Sequence, residues 1–228
     1  MIDSKRLTAW YDFQAPAYHF WRDNYDGPLV QRVSQLLSAG GDSAPLRVLD
    51  VGCGSGLFTL GLAKRHPTWA FEGLDPSTGL LKIANKQAEK RKLSNVRFLA
   101  GDAMALPHGD GQFDIAVSAG MFPNINDHAA ALAQIHRVLK PGGHLIVVEF
   151  DRTTMTRTTR LFFKGMIAAY KTISLVFRRF RFADRWNVES STIDGQRFSH
   201  NLDQAGFEPR ALLREHSHMI FHSAKRAP

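Results

Sequence analysis

The sequence predicts an α/β fold built on a doubly wound, mostly parallel sheet, and three observations lead to this prediction. An apolar run rich in β-branched residues, 47–51, precedes glycines at every second position and then a helical pattern. Strand-like and helix-like segments then alternate at the spacing of a doubly wound sheet. The length of 228 residues suits one such domain and is too short for two full ones. We therefore expect a single domain over residues 1–228.

The stretch RVLDVGCGSG, from Arg47 to Gly56, has the order of a strand, a glycine loop and the start of a helix. Glycines suit Gly52, Gly54 and Gly56 because a tight strand-to-helix turn needs positive φ and because a missing Cβ lets the backbone lie against a ligand. The following helix points its unpaired N–H groups at that ligand. The spacing G-x-G-x-G lacks the third-glycine offset of G-x-G-x-x-G, which is typical of dinucleotide enzymes.

The remaining elements of the core follow in order along the chain. Strands are expected near 47–52, 70–75, 96–100, 113–118 and 143–149, and helices near 57–65, 77–92 and 128–139. Right-handed crossovers bring the carboxyl ends of parallel strands to one edge, where ligands bind. Four polar residues stand at or near such ends, namely Asp50, Asp75, Asp102 and Ser118. We expect them to converge on one cleft.

Three further segments flank the core, which we assign to residues 41–150. Residues 1–40 are predicted to form an amphipathic, aromatic-rich helical cap followed by a second helix. Residues 151–200 are predicted to form a basic, helical insertion, with either a substrate-lid or a surface role. Residues 201–228 close the fold with a helix that ends at Gly206 and two strands. The histidines along these strands are interpreted as ordinary strand side chains. His136 is interpreted as a packing or surface residue.

The positive charge of the chain is concentrated in one segment. The formal net charge is +8, and residues 152–185 carry nine Lys or Arg against one acidic residue. On a helix, five basic residues would fall within one stripe beside an apolar face, namely Arg157, Arg160, Lys164, Lys171 and Arg178. This pattern fits a helix at an anionic membrane surface, with nucleic acid as the second option, and it also fits a lid helix whose apolar face packs on the domain.

The cysteine content and the distribution of apolar residues indicate the cellular compartment. The chain has one cysteine, Cys53, so neither an intrachain disulfide nor a cysteine-based metal cluster can form, and no metal site is predicted. The first residues have no apolar core of a secretory signal, and no run of 18 apolar residues occurs. We expect a cytoplasmic protein, with the inner face of the membrane as a peripheral location.

Taken together, these motifs resemble the class I S-adenosylmethionine-dependent methyltransferase family over Val48 to Phe150. The landmarks are the glycine loop, Asp75 after the second strand, Asp102 after the third, and the run RVLKPGG. The pattern Tyr11-Asp12-x-x-Ala15-x-x-Tyr18 is similar to the cap of ubiquinone and menaquinone C-methyltransferases. The resemblance implies a seven-stranded, Rossmann-like sheet with an antiparallel last strand, and S-adenosyl-L-methionine as the cofactor.

The resemblance also implies roles for individual residues. Asp75 would accept hydrogen bonds from both ribose hydroxyls, and Asp102 and Ala103 would contact the adenine. Asp50 either orients the loop and the methionine amino group or caps the helix. The full set of predicted cofactor-binding residues is Tyr18, Asp50, Gly52, Cys53, Gly54, Gly56, Asp75, Pro76, Asp102, Ala103, Ser118 and Met121. Met121, Phe122 and Asn124 are candidates for the acceptor side. Tyr18 and His19 are the candidate catalytic residues, His19 as a base or as a structural histidine.

The implied reaction is methyl transfer to a small, lipophilic acceptor, either quinone-like or another phenol or enol. After Phe150 the sequence departs from the quinone enzymes, because their tyrosine-rich substrate segment is not found. Two alternatives remain: a phospholipid N-methyltransferase at a membrane surface, and a non-catalytic, cofactor-sensing protein that binds RNA or membrane. The sequence leaves the acceptor atom and the oligomeric state open.

Overall fold

The computed structural model describes residues 8–9, 11–12, 27–38, 44–150, 157–158, 160–161, 164–165, 167–168, 172, 192–215 and 218–226. Five helices are named here, α1 (Gly27–Ser38), α2 (Leu57–Arg65), α3 (Thr78–Lys90), α4 (His128–Val138) and α5 (Gly195–Gln204). Seven strands are β1 (Arg47–Val51), β2 (Ala70–Asp75), β3 (Val96–Ala100), β4 (Phe113–Ala119), β5 (Leu139–Phe150), β6 (Phe207–Glu215) and β7 (His218–Lys225). A short 3-10 helix, Phe122–Asn124, follows β4.

The seven strands form one sheet in the order β3-β2-β1-β4-β5-β7-β6. Strands β1 to β5 pair in parallel, and β7 pairs antiparallel with both β5 and β6. The strand order reverses between β1 and β4, so that the carboxyl ends of these two neighbours diverge into loops on opposite sides. A crevice at such a switch point is where doubly wound sheets bind ligands. The predicted fold class, including the antiparallel last strand, is confirmed.

Two apolar cores cover the two faces of the sheet, and alternate residues of each strand supply them. Along β1, Val48 enters the core beneath α1 and α2, whereas Leu49 enters the core beneath α4 and α5. Helix α1 buries Leu29, Val30, Val33 and Leu37, and Val30 packs against α2 at Gly61. A Cβ at Gly61 would lie 2.8 Å from a methyl group of Val30, so the small residue sets the approach of the two helices.

The largest difference from the sequence expectation lies at the junction of α4 and β5. The predicted strand 143–149 begins earlier, at Leu139, because Leu139 pairs with Phe113 before a register irregularity brings His144 opposite Ile115. The predicted helix 128–139 consequently ends at Val138. Gly206, with φ of 86°, lies between α5 and β6 and permits the turn that was expected there.

No helix in the described part of the chain combines the length and the hydropathy that crossing a bilayer requires. Within the described ranges, no group of three or more His, Cys, Asp or Glu side chains has the arrangement of a metal site.

Candidate functional site

The glycine loop after β1 folds back over the end of β2. Gly52, Gly54 and Gly56 have φ angles of 78°, 55° and 75°, a region that side chains with a Cβ rarely adopt. The backbone N–H groups of Gly52 and Cys53 both donate to the carbonyl of Leu74, at 2.8 and 3.1 Å. The loop is therefore fixed against the end of β2, at the carboxyl edge of the sheet, by backbone contacts.

Asp75 ties this loop to the end of β2. One carboxylate oxygen, Oδ2, accepts from the Gly54 N–H, and Oδ1 accepts from the Ser77 N–H, each at 2.9 Å. The residue is 9% exposed, and this burial raises the pKa of its carboxyl to about 6, opposed by the two backbone donors and assisted by the nearby charge of Asp12. Each oxygen keeps a further lone pair that can accept from a ligand hydroxyl.

Asp50, in β1, and Cys53, within the glycine loop, are both buried. Asp50 is buried and accepts a 2.5 Å hydrogen bond from the hydroxyl of Thr59, in the first turn of α2. This contact joins Asp50 to the first turn of the helix, as the helix-capping alternative expects, and a role of Asp50 toward the loop and the methionine amino group remains a prediction. Burial, followed by the charges of Asp75 and Asp50, raises the pKa of the Cys53 thiol.

The candidates for the adenine side lie after β3 and β2. Asp102 is exposed, and its Oδ1 accepts from the Met104 N–H at 2.9 Å. Ala103 is buried in the core beside it, whereas Pro76 is exposed. The structure thus places Asp102 and Asp75 at the ends of adjacent strands, and the adenine role of Asp102 remains a prediction.

The loop after β4 forms the opposite wall. Gly52 meets Met121 closely, since a Cβ on Gly52 would lie 2.7 Å from the Met121 side chain. The Phe122 N–H donates to Oε1 of Glu149, a buried carboxylate near the end of β5, at 2.9 Å. Ser118 is fully buried, and its hydroxyl has no hydrogen-bond partner among the described residues. These contacts bring Met121 directly against the glycine loop.

A helical turn near the N-terminus contacts both walls. The Tyr11 hydroxyl donates to Oδ1 of Asn124 at 3.1 Å, on the side of β4. Asp12 Oδ1 accepts from the Ser77 hydroxyl at 2.6 Å and from the Gly79 N–H at 2.7 Å, on the side of β2. The candidate catalytic residues Tyr18 and His19 lie outside the described residues.

Sequence reasoning did not assign roles to Asp12, Ser77 or Glu149. Ser77 had a local signal, because a serine before a helical pattern is a common N-cap, and its hydroxyl accepts from the Leu80 N–H at 3.1 Å. Asp12 contacts Ser77, 65 residues away in the sequence, and Glu149 contacts Phe122, 27 residues away. No local pattern predicts such contacts.

The histidines of the described core pack against neighbouring side chains. His136 packs edge-on against Phe207, with ring centroids 5.3 Å apart, in agreement with the packing interpretation. His218 lies against Phe150, and His222 contacts His144 at 3.1 Å between ring nitrogens. Burial, and then the neighbouring His144, lowers the pKa of His222 to about 4. The positions of His218 and His222 are consistent with ordinary strand side chains.

Comparison with known proteins adds to this geometry. Residues 48–143 match a family described as a methyltransferase domain. Demethylmenaquinone methyltransferases are among the relatives, from Thermus thermophilus with 40% identity over 136 residues and from Lactococcus lactis with 35% over 131 residues. These alignments cover 54% and 56% of this chain, and the chain spans 61% and 52% of the respective relatives. Residues 48–143 form a class I S-adenosylmethionine-dependent methyltransferase domain.

Solved structures share the fold of this methyltransferase domain. A SAM-dependent methyltransferase from Aquifex aeolicus matches with a TM-score of 0.64 and 15% identity, over 88% of this chain and 99% of that one. The cyclase SpnF matches with a TM-score of 0.65 and 22% identity, over 86% of this chain and 81% of that one. At these identities the likeness concerns the fold alone.

The residues at the carboxyl edge fit S-adenosylmethionine as the cofactor of the methyltransferase domain. Asp75 holds the glycine loop through the Gly54 N–H and keeps a further lone pair on each carboxylate oxygen, so that it can accept from the two ribose hydroxyls. Met121 and Asn124 lie in the wall that follows β4, and their place on the acceptor side remains a prediction. Binding roles of individual residues remain predictions that variants can test.

Proposed function

We propose that the protein transfers the methyl group of S-adenosylmethionine to a small, quinone-like acceptor. The observation that carries the proposal is the glycine loop fastened to Asp75 at the switch point of the sheet. The 40% identity to a demethylmenaquinone methyltransferase over 136 residues supports the choice of acceptor. That relative's substrate, as its name gives it, is a demethylated quinone. The proposed acceptor for this chain is therefore a reduced quinone ring or a related phenol or enol.

The cofactor supplies an electrophilic methyl group on a sulfonium centre, and the protein supplies alignment and exclusion of water. When bound, the cofactor would supply this methyl group to the acceptor atom and would keep the carbon–sulfur electron pair as S-adenosylhomocysteine. The acceptor loses one proton to a base or to water. Asp75 and the glycine loop would hold the nucleoside, whereas Met121, Phe122 and Asn124 would border the acceptor. His19 is proposed as a base and Tyr18 as its neighbour in the cap.

The experiment that tests this function supplies candidate acceptors side by side. The purified protein is incubated with S-adenosylmethionine and a short-chain demethylated naphthoquinol, phosphatidylethanolamine or no acceptor, and products are followed by mass spectrometry. We expect methylated quinol and an equal amount of S-adenosylhomocysteine, with little product from Asp75→Ala. Methylation of phosphatidylethanolamine alone would favour the phospholipid enzyme instead. Cofactor binding without turnover on any acceptor would favour a cofactor-sensing protein.

We further propose that the basic segment 152–185 holds the protein at an anionic membrane on the cytoplasmic side. Arg157, Arg160 and Lys164 are exposed and have helical backbone conformation. At 100° per residue, their side chains lie within one stripe of the helix. Ile167 is buried, while Leu161 is 59% exposed next to the basic stripe. Basic side chains beside an exposed leucine suit the boundary between headgroups and acyl chains. A lipophilic acceptor could then enter without crossing water.

Charge reversal of this stripe tests the membrane proposal. Each basic group near an anionic surface contributes about 1 kcal/mol, so Arg157→Glu, Arg160→Glu and Lys164→Glu together should weaken binding to anionic vesicles by roughly a hundredfold or more. A matched control reverses three exposed lysines of α3, as Lys82→Glu, Lys86→Glu and Lys90→Glu. Sedimentation with anionic and neutral vesicles at low and high salt is the measurement. Equal loss in both triple variants, or binding to RNA in place of vesicles, would contradict the proposal.

A further inference from the structure

Tyr11 and Asp12 are consecutive residues whose side chains reach opposite walls of the cofactor cleft. Tyr11 donates to Asn124, which follows β4, and Asp12 accepts from the first turn of α3, which follows β2. In the sheet, β1 lies between β2 and β4, and its carboxyl end leads into the glycine loop. The helical turn that carries this pair therefore bridges the two sides of the glycine loop.

The contact of Asp12 with α3 is shaped by a glycine. A Cβ on Gly79 would lie 2.9 Å from Oδ1, 3.0 Å from Cα and 3.2 Å from the carbonyl oxygen of Asp12. Two of these three atoms are backbone, so the clash could not be relieved by a side-chain rotation alone. Alanine is the better helix former by about 1 kcal/mol, so helix propensity does not favour glycine at this position. The missing Cβ leaves the space in which Asp12 lies.

Ser77 connects Asp12 to the predicted ribose acceptor. Its hydroxyl donates to Asp12 at 2.6 Å, and its backbone N–H donates to Asp75 at 2.9 Å. The same hydroxyl accepts from the Leu80 N–H at 3.1 Å, which fixes its rotation. A displaced Asp12 would remove the acceptor of the Ser77 hydroxyl, and the backbone N–H of the same Ser77 is one of the two donors that orient the Asp75 carboxylate.

We propose that Asp12 is a positioning residue of the cofactor site: its carboxylate seats the N-terminal turn on Gly79 and, through Ser77, orients Asp75 toward the ribose. This inference rests on the proposed function, in which Asp75 accepts the ribose hydroxyls. Cofactor binding and seating of the turn then strengthen one another, and linkage requires the same factor in both directions. The turn over residues 8–12 should accordingly be better protected when the cofactor site is filled.

Three variants separate this role from general stability. Asp12→Ala removes both acceptor contacts and should lower the affinity for S-adenosylhomocysteine at least tenfold. Asp12→Asn keeps an oxygen that accepts the same two hydrogen bonds, so its affinity should stay within about threefold of wild type. Gly79→Ala should lower the affinity as much as Asp12→Ala, although alanine favours the helix. The control is Asp194→Ala, which removes the carboxylate cap of α5, where Asp194 accepts from the Arg197 N–H at 3.1 Å.

Calorimetry gives the affinities, thermal unfolding gives the stabilities, and amide hydrogen exchange reports protection of residues 8–12 with and without S-adenosylhomocysteine. We expect the control to lose stability without losing affinity, and Gly79→Ala to lose affinity without losing stability. Wild-type affinity in both Asp12→Ala and Gly79→Ala would overturn the proposal, as would equal losses in Asp12→Asn and Asp12→Ala. If the wild-type protein itself does not bind S-adenosylhomocysteine, the proposed function fails instead.

Discussion

Acidification is expected to weaken cofactor binding through Asp75. Burial raises the pKa of this carboxyl from 3.8 to about 6, and we expect the ionised form to be the better acceptor for two hydroxyl groups. At about pH 5, roughly one molecule in eleven would be ionised, so the affinity should fall about tenfold relative to pH 8, which corresponds to about 1.4 kcal/mol. Above pH 7 the effect of this group on affinity should level off.

The same titration acts on folding stability in the opposite direction. Because the pKa in the folded protein exceeds the ordinary value of 3.8, protonation of Asp75 favours the folded state. Its stabilising contribution is complete below pH 3.8 and is lost as the pH rises through 6, and the shift corresponds to at most about 3 kcal/mol. A loss of affinity at pH 5 that comes from Asp75 should therefore not be accompanied by unfolding that arises from this group.

Isothermal calorimetry with S-adenosylhomocysteine from about pH 5 to pH 8 measures the affinity, and circular dichroism checks the fold at each pH. Asp75→Asn cannot ionise and serves as the control. Its affinity should be weaker than that of the wild type, and it should not show the part of the pH dependence that comes from Asp75. Asp75→Ala should lose about 2 to 4 kcal/mol of binding free energy, since two hydroxyl hydrogen bonds are removed. Equal wild-type affinities at pH 5 and pH 8, or the same pH dependence in Asp75→Asn, would refute the reasoning.

Three further predictions concern stability and reactivity. Gly56→Ala should lower the free energy of unfolding in urea by about 2 kcal/mol or more, because φ is 75° and the new Cβ would lie 2.7 Å from the Phe98 ring; an unchanged unfolding midpoint would contradict this. Asn95→Ala should cost about 1 to 3 kcal/mol in the same assay, because the Asn95 amide donates to three carbonyls near the end of α2. Cys53 should react with iodoacetamide far more slowly in the native than in the urea-unfolded protein, since burial raises its pKa; comparable rates would show an accessible thiolate.

The sheet and the glycine loop could be predicted from the sequence because their determinants are local. Apolar runs gave the strands of the core, and the positive φ of Gly52, Gly54 and Gly56 follows from their position between a strand and a helix. The start of β5 was placed too late, because the pairing of Leu139 with Phe113 depends on the neighbouring strand and not on the residues of 139–143 themselves.

The contacts that complete the site depend on residues distant in the chain. Asp12 meets Gly79 across 67 residues, and Tyr11 meets Asn124 across 113 residues. The resemblance to a family cap indicated that Tyr11 and Asp12 belong to the cap, yet neither periodicity nor spacing identifies Asn124 or α3 as their partners. The unexplained glycine in the first turn of α3 was the available signal, and its meaning becomes apparent only when the missing Cβ is compared with the space that Asp12 occupies.

The central claim is that the carboxyl edge of the sheet binds S-adenosylmethionine, and calorimetry with purified protein tests it most directly. S-adenosylmethionine, S-adenosylhomocysteine and NAD are titrated separately into the wild-type protein and into Asp75→Ala. The account predicts saturable binding of the first two ligands, weakened in the variant, and no heat of binding with NAD. Binding of NAD, together with no response to S-adenosylmethionine, would contradict it.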